Sequence, residues 1–226
     1  MGALDVLRVL DLSRVLAGPL CCMMLGDHGA DVIKVEPPEG DETRTWGPPF
    51  VDGQSTYYLN INRNKRGIVL NLATVDGQEA ARRLVMSSDV LVENFKTGTM
   101  ERWGLDYAKL RELNPRLIFA SISGFGRDGP YAHVAGYDAV AQAMGGFMSI
   151  NGEADGQPLK AGVAIVDIAN EADGVEVVVD TVVAEANSVE VDAANEDGTV
   201  IVVPEDAAGY RIVEGVGAER AAQFVG

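Results

Sequence analysis

Five short apolar runs, separated by stretches of helical periodicity, constrain what residues 1–125 can fold into. The runs are LRVLDL, DVIKVE, GIVLNL, DVLVEN and LIFASIS. Each is dense in Val, Ile and Leu, as strands buried on both faces are. Three helices are expected between them. The first opens at Gly18-Pro19, with proline at the first helical position. Leu20, Met23, Met24 and His28 then fall on or near one face. The second starts at Asp76, with Ala80, Ala81, Leu84 and Val85 as its apolar stripe. The third starts at Asp106 and stops near Asn114-Pro115, where proline forbids continuation. Strand-helix alternation of this kind predicts an α/β domain, a mostly parallel sheet with flanking helices. Ligands of such sheets bind beyond the carboxyl ends of the strands.

Two regions break the pattern. Residues 37–58 carry Pro37, Pro38, Gly40, Gly47, Pro48, Pro49 and Gly53, and are expected to form a long surface excursion. From residue 169 onward the chain becomes an acidic tail. Residues 170–226 hold 13 acids, two arginines and no lysine, most of the formal charge of −16. That charge argues against a nucleic-acid partner. VEVVVD, SVEVD and TVIVVP have strand composition, and Asp197-Gly198 suits a turn. The expected division is therefore 1–168 and 169–226.

No run of 18 apolar residues predicts a membrane span, and the first residues lack the pattern of a signal peptide. Cys21 and Cys22 are adjacent in an apolar stretch, which fits core residues in a reducing cytoplasm rather than a disulfide framework. No spacing proposes a metal site.

Several motifs bear on chemistry. GFGRDG, residues 124–129, matches a dinucleotide fingerprint in form. Pro130 follows at once, no helix opens on the third glycine, and no acidic residue ends a later strand. A glycine-rich turn is the better assignment. Arg63, Lys65 and Arg66 cluster in NRNKRG, followed by Lys96 and Arg102 in ENFKTGTMERWG. These cations either hold the phosphates of a nucleotide-like ligand or are ordinary solvated charge. Asp138, after Tyr137 in AGYDAVAQAMGG, suits an N-cap. Asp167 ends the apolar run GVAIVD, expected to be a strand. A partly buried carboxylate there can attack an activated acyl group to form a mixed anhydride.

Taken in order, these segments resemble the class III coenzyme A transferases, the family of formyl-CoA transferase and carnitine CoA-transferase. The matching pieces are VLDLSRVLAGP, LGDHGADVIKVEPPEGDETR, NRNKRGIVLNL, DVLVENFKTGTMERWGLDY, LNPRLIFASISGFGRDGPYAHVAGYDAVAQAMGG and GEADGQPLKAGVAIVD, which cover nearly all of residues 5–168. The resemblance implies that an aspartate takes the acyl group of an acyl-CoA as an anhydride. It then carries CoA as an aspartyl thioester and passes it to an acceptor carboxylate. The matching aspartate is Asp167, with Asp138 and Tyr137 as secondary candidates. The implied CoA contacts are Val15, Leu16 and Ala17, then Leu70, Asn71 and Leu72, then Asn94, Phe95 and Lys96, and Arg102.

CoA or acyl-CoA is implied as substrate rather than as a tightly bound cofactor, a carboxylic acid as co-substrate, and a homodimer as the assembly. Leu16 and Pro37 stand where formyl-CoA transferase has glutamine and arginine, which argues against formyl-CoA and oxalate. Tyr137 stands where related acyl-CoA racemases carry histidine. A phenol of pKa about 10 is a poor base at neutral pH, so transferase is favoured over racemase. The tail resembles nothing in the family's second half, so the implied enzyme is incomplete in this chain. A CoA-binding fragment, or an acidic protein-interaction module, is the alternative.

Overall fold

The structure is a computed structural model and describes residues 2–153, 155–169, 200–205 and 209–214. The chain divides into two compact units, Met1–Val178 and Val179–Gly226.

The first unit is built on a parallel sheet. Its strands are β1 (Arg8–Asp11), β2 (Asp31–Glu36), β5 (Lys65–Val69), β6 (Val90–Glu93) and β7 (Ile118–Ser121), in the spatial order β5-β2-β1-β6-β7. All four pairings are parallel, with Val9 beside Val32 on one side and Val90 on the other. A small hairpin pairs β3 (Phe50–Val51) with β4 (Gln54–Ser55). The chain therefore runs outward from β1 to β2 and β5, returns, and runs the other way through β6 and β7. The order reverses between β1 and β6, where a crevice opens in such sheets.

The helices are α1 (Ala17–Asp27), α2 (Thr56–Ile61), α3 (Val75–Val85), α4 (Thr99–Trp103), α5 (Tyr107–Leu113), α6 (Asp138–Met144) and α7 (Ile165–Ala169). None among the described residues is long and apolar enough to cross a membrane. Leu10, Leu91, Val85, Met100, Leu105 and Leu110 pack in one apolar cluster, and Val9, Cys22, Val32 and Val92 in another.

The expected α/β architecture is present, with local departures. Pro19 is the third helical residue of α1, not the first. The first turn has amide groups without intrahelical partners, so a missing N–H costs nothing there. Gly18, Pro19, Cys22 and Met23 are buried, whereas Met24 faces solvent. GIVLNL is not a buried strand. The strand starts at Lys65, ends at Val69 and is largely exposed, because β5 is an edge. Asn71 then turns the chain, its side chain accepting from the Ala73 amide at 3.1 Å. Thr74 rather than the expected Asp76 opens α3, its hydroxyl accepting from the Gly77 amide with Asp76 inside the first turn, and Asp106 caps α5 as expected.

The 37–58 excursion is anchored rather than loose. Asp41, Thr43 and Ser55 are buried, and a 3-10 helix (Glu42–Thr45), the β3–β4 hairpin and the start of α2 lie within it. Lys34 and Asp41, both almost fully buried, pair at 2.9 Å. Glu36 accepts two bonds from Arg44 at 2.7 Å, one from the Tyr58 hydroxyl at 2.6 Å and one from the Asp41 amide at 2.9 Å. Burial alone raises the Glu36 carboxyl, but these donors outweigh it and hold it at about 2.

In the second unit, β8 (Val200–Glu205) and β9 (Gly209–Glu214) form an antiparallel hairpin, Val200 beside Glu214. TVIVVP thus lies largely in a strand. VEVVVD, SVEVD and the Asp197-Gly198 turn lie outside the described residues.

Candidate active site

Three loops leave the carboxyl ends of β1, β6 and β7 and wall a crevice of about 440 Å³, a size suited to small-molecule groups. Val15, Leu16 and Ala17 line it from the first loop, and Asn94, Phe95 and Lys96 from the second. The glycine-rich segment after β7 contributes a third wall, and Tyr137 and Asp167 a fourth. The fold thus brings eight of the expected site residues together from four separate stretches of sequence.

Asp167 sits on α7, so the expected strand ending at this residue is a helix. The apolar run is too short to distinguish the two by periodicity. Its carboxyl is half-buried, and among the described residues no donor or cation is recorded against it. Burial, then the like charge of Asp138, raise its pKa. Raised basicity strengthens a carboxylate as a nucleophile once it is ionised.

Asp138 does not line the crevice. It is the first residue of α6, where Tyr137 holds the capping position. One carboxylate oxygen accepts from the Val166 amide of α7 at 2.8 Å, the other from Gln142 Nε2 at 2.6 Å. Asp138 therefore caps α7 from outside and positions Asp167. Gln142 is fully buried and also accepts from the Ala161 amide at 2.8 Å, fixing the segment that leads into α7. Sequence reasoning missed Gln142. The available signal was its spacing four residues after Asp138, which puts both on one helix face.

Asn94 spends its amide on the protein. Its Oδ1 accepts from Arg14 N at 2.8 Å and its Nδ2 donates to Arg14 O at 2.7 Å. This clamp holds the loop in which Val15 has φ +71°, a left-handed conformation costly for a β-branched residue. Phe95 is buried, edge-on to Trp103 at 5.0 Å, and carries the Arg14 guanidinium 4.9 Å above its ring. Lys96 is exposed at the wall.

Leu70, Asn71 and Leu72 follow β5 at the sheet edge, and Arg102 lies on α4 bonded to Thr99 Oγ1 at 3.0 Å. Neither group is on the crevice wall. The NRNKRG cations are each paired with a carboxylate of the chain. Lys65 is buried against Asp11 at 2.9 Å and Pro19 O at 2.7 Å, Arg63 pairs with Asp27, and Arg66 with Asp31.

Arg127 anchors the glycine-rich segment by pairing with fully buried Glu93, which also accepts from Ser121 Oγ and from the Phe95 amide. Burial still raises the Glu93 carboxyl, because these partners only partly offset it. Gly124 and Gly136 touch backbone to backbone. A Cβ on Gly124 would lie 2.2 Å from Gly136 Cα. Two crevice walls meet there, which only glycine permits. No helix opens within residues 124–129, in keeping with a turn rather than a dinucleotide fold.

Tyr57 also went unnoticed in the sequence. Burial, then Asp167 and Asp41, push its phenol up to about 12. It packs on Trp46 with ring centres 5.1 Å apart, which places the excursion within electrostatic reach of Asp167.

Known proteins match much of this chain in sequence and fold. A CaiB/BaiF family protein from Brucella suis is 53% identical, with a TM-score of 0.71 over 74% of this chain and 45% of that one. A succinate–glutarate CoA-transferase of Agrobacterium fabrum is 58% identical over 172 residues, 73% of this chain and 43% of its own. A succinyl-CoA:mesaconate CoA-transferase of Haloarcula marismortui is 52% identical over 74% of this chain and 44% of its own. The chain thus spans less than half the length of these relatives. The model of CoA-transferase family III matches residues 4–192, and the chain belongs to that family.

Proposed function

We propose that this chain carries the nucleophile-bearing part of an enzyme that moves CoA from a succinyl-CoA-like thioester to a short dicarboxylic acid. The observation that supports it most is Asp167, an unbonded, half-buried carboxyl on the crevice wall, positioned by Asp138 and Gln142. The dicarboxylate class comes from the relatives, whose names pair succinate or succinyl-CoA with glutarate or mesaconate.

In this mechanism the Asp167 carboxylate attacks the thioester carbonyl carbon. The C–S bond breaks, leaving an acyl-aspartyl anhydride and CoA thiolate. The thiolate attacks the aspartyl carbon and releases the donor acid, so CoA rides on Asp167 as a thioester. The acceptor carboxylate displaces it to a new anhydride, and the thiolate attacks the acyl carbon to give the product thioester and free Asp167. Loops around the crevice hold the reactants near Asp167 and limit hydrolysis of the anhydride.

In this reading residues 1–168 supply the chemistry, and the family match continues to residue 192, into the acidic stretch. The family's homodimer belongs to the same proposal. Tyr137, Ile150, Leu159 and Ile168 are exposed at 68, 83, 52 and 41%, apolar surface suited to burial against further chain. Without that chain, turnover is expected to be low.

Incubation with succinyl-CoA followed by mass spectrometry tests the nucleophile. An acyl or CoA adduct on Asp167, lost in Asp167→Ala, supports it, and turnover with glutarate should fall at least about a thousandfold. An adduct or turnover that survives Asp167→Ala sinks the assignment.

A further inference from the structure

The crevice carries charges of both signs. Asp167 and Glu42 line it as carboxyls, Arg14 and Lys96 as cations. Elsewhere in this unit Lys34, Lys65, Arg44, Arg63, Arg66 and Arg127 all sit against carboxylates. Arg14 has no carboxylate within 4.0 Å among the described residues. Yet it is held more firmly than a solvated arginine needs to be. Asn94 bonds both its backbone N and its backbone O, at 2.8 and 2.7 Å. The Phe95 ring supports the guanidinium from below at 4.9 Å, and the next residue, Val15, is kept at φ +71°.

The Asn94 bonds fix the backbone from which the Arg14 side chain leaves, and no ionic partner meets that side chain among the described residues. An exposed guanidinium resting on an aromatic face, with no carboxylate partner among the described residues, can offer its fork to two oxygens of one anion. The aromatic face beneath it leaves the fork edge open while shielding one side from water.

We propose that Arg14 is the oxyanion receptor of the crevice, binding a carboxylate or phosphate of the acyl-CoA ligand through both prongs of its guanidinium. This rests on the crevice being the acyl-CoA site. The two sources of the anion are the free carboxylate at the end of a dicarboxylic acyl group and the phosphates of CoA itself. Asn94 and Phe95 act through Arg14 and are positioning residues.

Calorimetry on the full chain distinguishes these sources with glutaryl-CoA and pentanoyl-CoA, thioesters of equal length that differ in the terminal carboxylate. Arg14→Gln should weaken glutaryl-CoA by about tenfold or more, the worth of a charged hydrogen-bond pair. Weakening confined to glutaryl-CoA assigns the acyl carboxylate. Equal weakening of both thioesters assigns a CoA phosphate. Arg14→Lys keeps the charge but loses the fork, and should recover only part of the affinity. Unchanged binding of both thioesters by Arg14→Gln overturns the proposal while leaving the crevice as the CoA site. A wild-type chain that binds neither thioester removes the site itself, and the proposal with it.

Discussion

The carboxyl rim of the sheet has two sides that treat charge in opposite ways. Beyond β2 and β5 the charges close on one another. Lys34 meets Asp41 and Glu36 meets Arg44, while Lys65, at the amino end of β5, reaches Asp11 at the end of β1. Beyond β1, β6 and β7, Arg14, Lys96 and Asp167 line the crevice without ion-pair partners among the described residues. Burying a charge is tolerable only with a partner, so the first side is scaffold. The second side keeps its charges at the crevice wall, where a ligand can meet them. Arg127–Glu93 lies between the two cases, a buried pair that holds a wall of the crevice in place. Abundance of charge therefore does not by itself mark the crevice, since Arg63, Lys65 and Arg66 of NRNKRG are all paired with carboxylates and off its wall.

The largest expected effect comes from breaking the scaffold side. Lys34→Met leaves Asp41 buried without its cation and should destabilise the unit by about 3–5 kcal/mol in urea unfolding. Arg14→Gln on the open side should change stability by less than about 0.5 kcal/mol. Comparable losses would erase the distinction between the two sides.

Acid gives the next largest effect. The Glu36 carboxyl is lowered from 4.5 to about 2 in the folded protein. Its contribution is fully present above the unfolded value of 4.5 and is lost as pH falls through about 2. That span corresponds to roughly 3 kcal/mol for a side chain only 6% exposed. Glu36→Gln should flatten the acid limb of a stability–pH profile, and an unchanged limb would show that the Arg44 fork does not anchor the excursion.

The smallest effect sharpens the open side. Asp138→Asn keeps an acceptor for the Val166 amide but removes the charge facing Asp167. The pKa of Asp167 should then fall, so adduct formation from succinyl-CoA should persist to lower pH than in the wild type. A pH profile that does not move would show that burial alone sets the basicity of Asp167.

Local pattern made the main elements legible. β1, β2, β6 and β7 follow from dense apolar runs, and the cap at Asp106 agrees with a short polar side chain before helical periodicity, whereas α3 opens at Thr74, two residues before Asp76. A crevice beyond the strand ends was to be expected from the alternation itself. α2 and α4 were hidden because helices of six and five residues carry too little periodicity to be seen. Asp167 was placed on a strand for the same reason.

What the sequence determined by itself is the parallel α/β sheet and the family. Only the tertiary structure decided which charged and polar groups face each other. Lys65 meets Asp11 across 54 residues of chain, and Asn94 meets Arg14 across 80. Periodicity records the environment of a residue within a turn or two of chain. It does not record the partner that folding brings from another strand end, and that partner separates a buried ion pair from an open binding group.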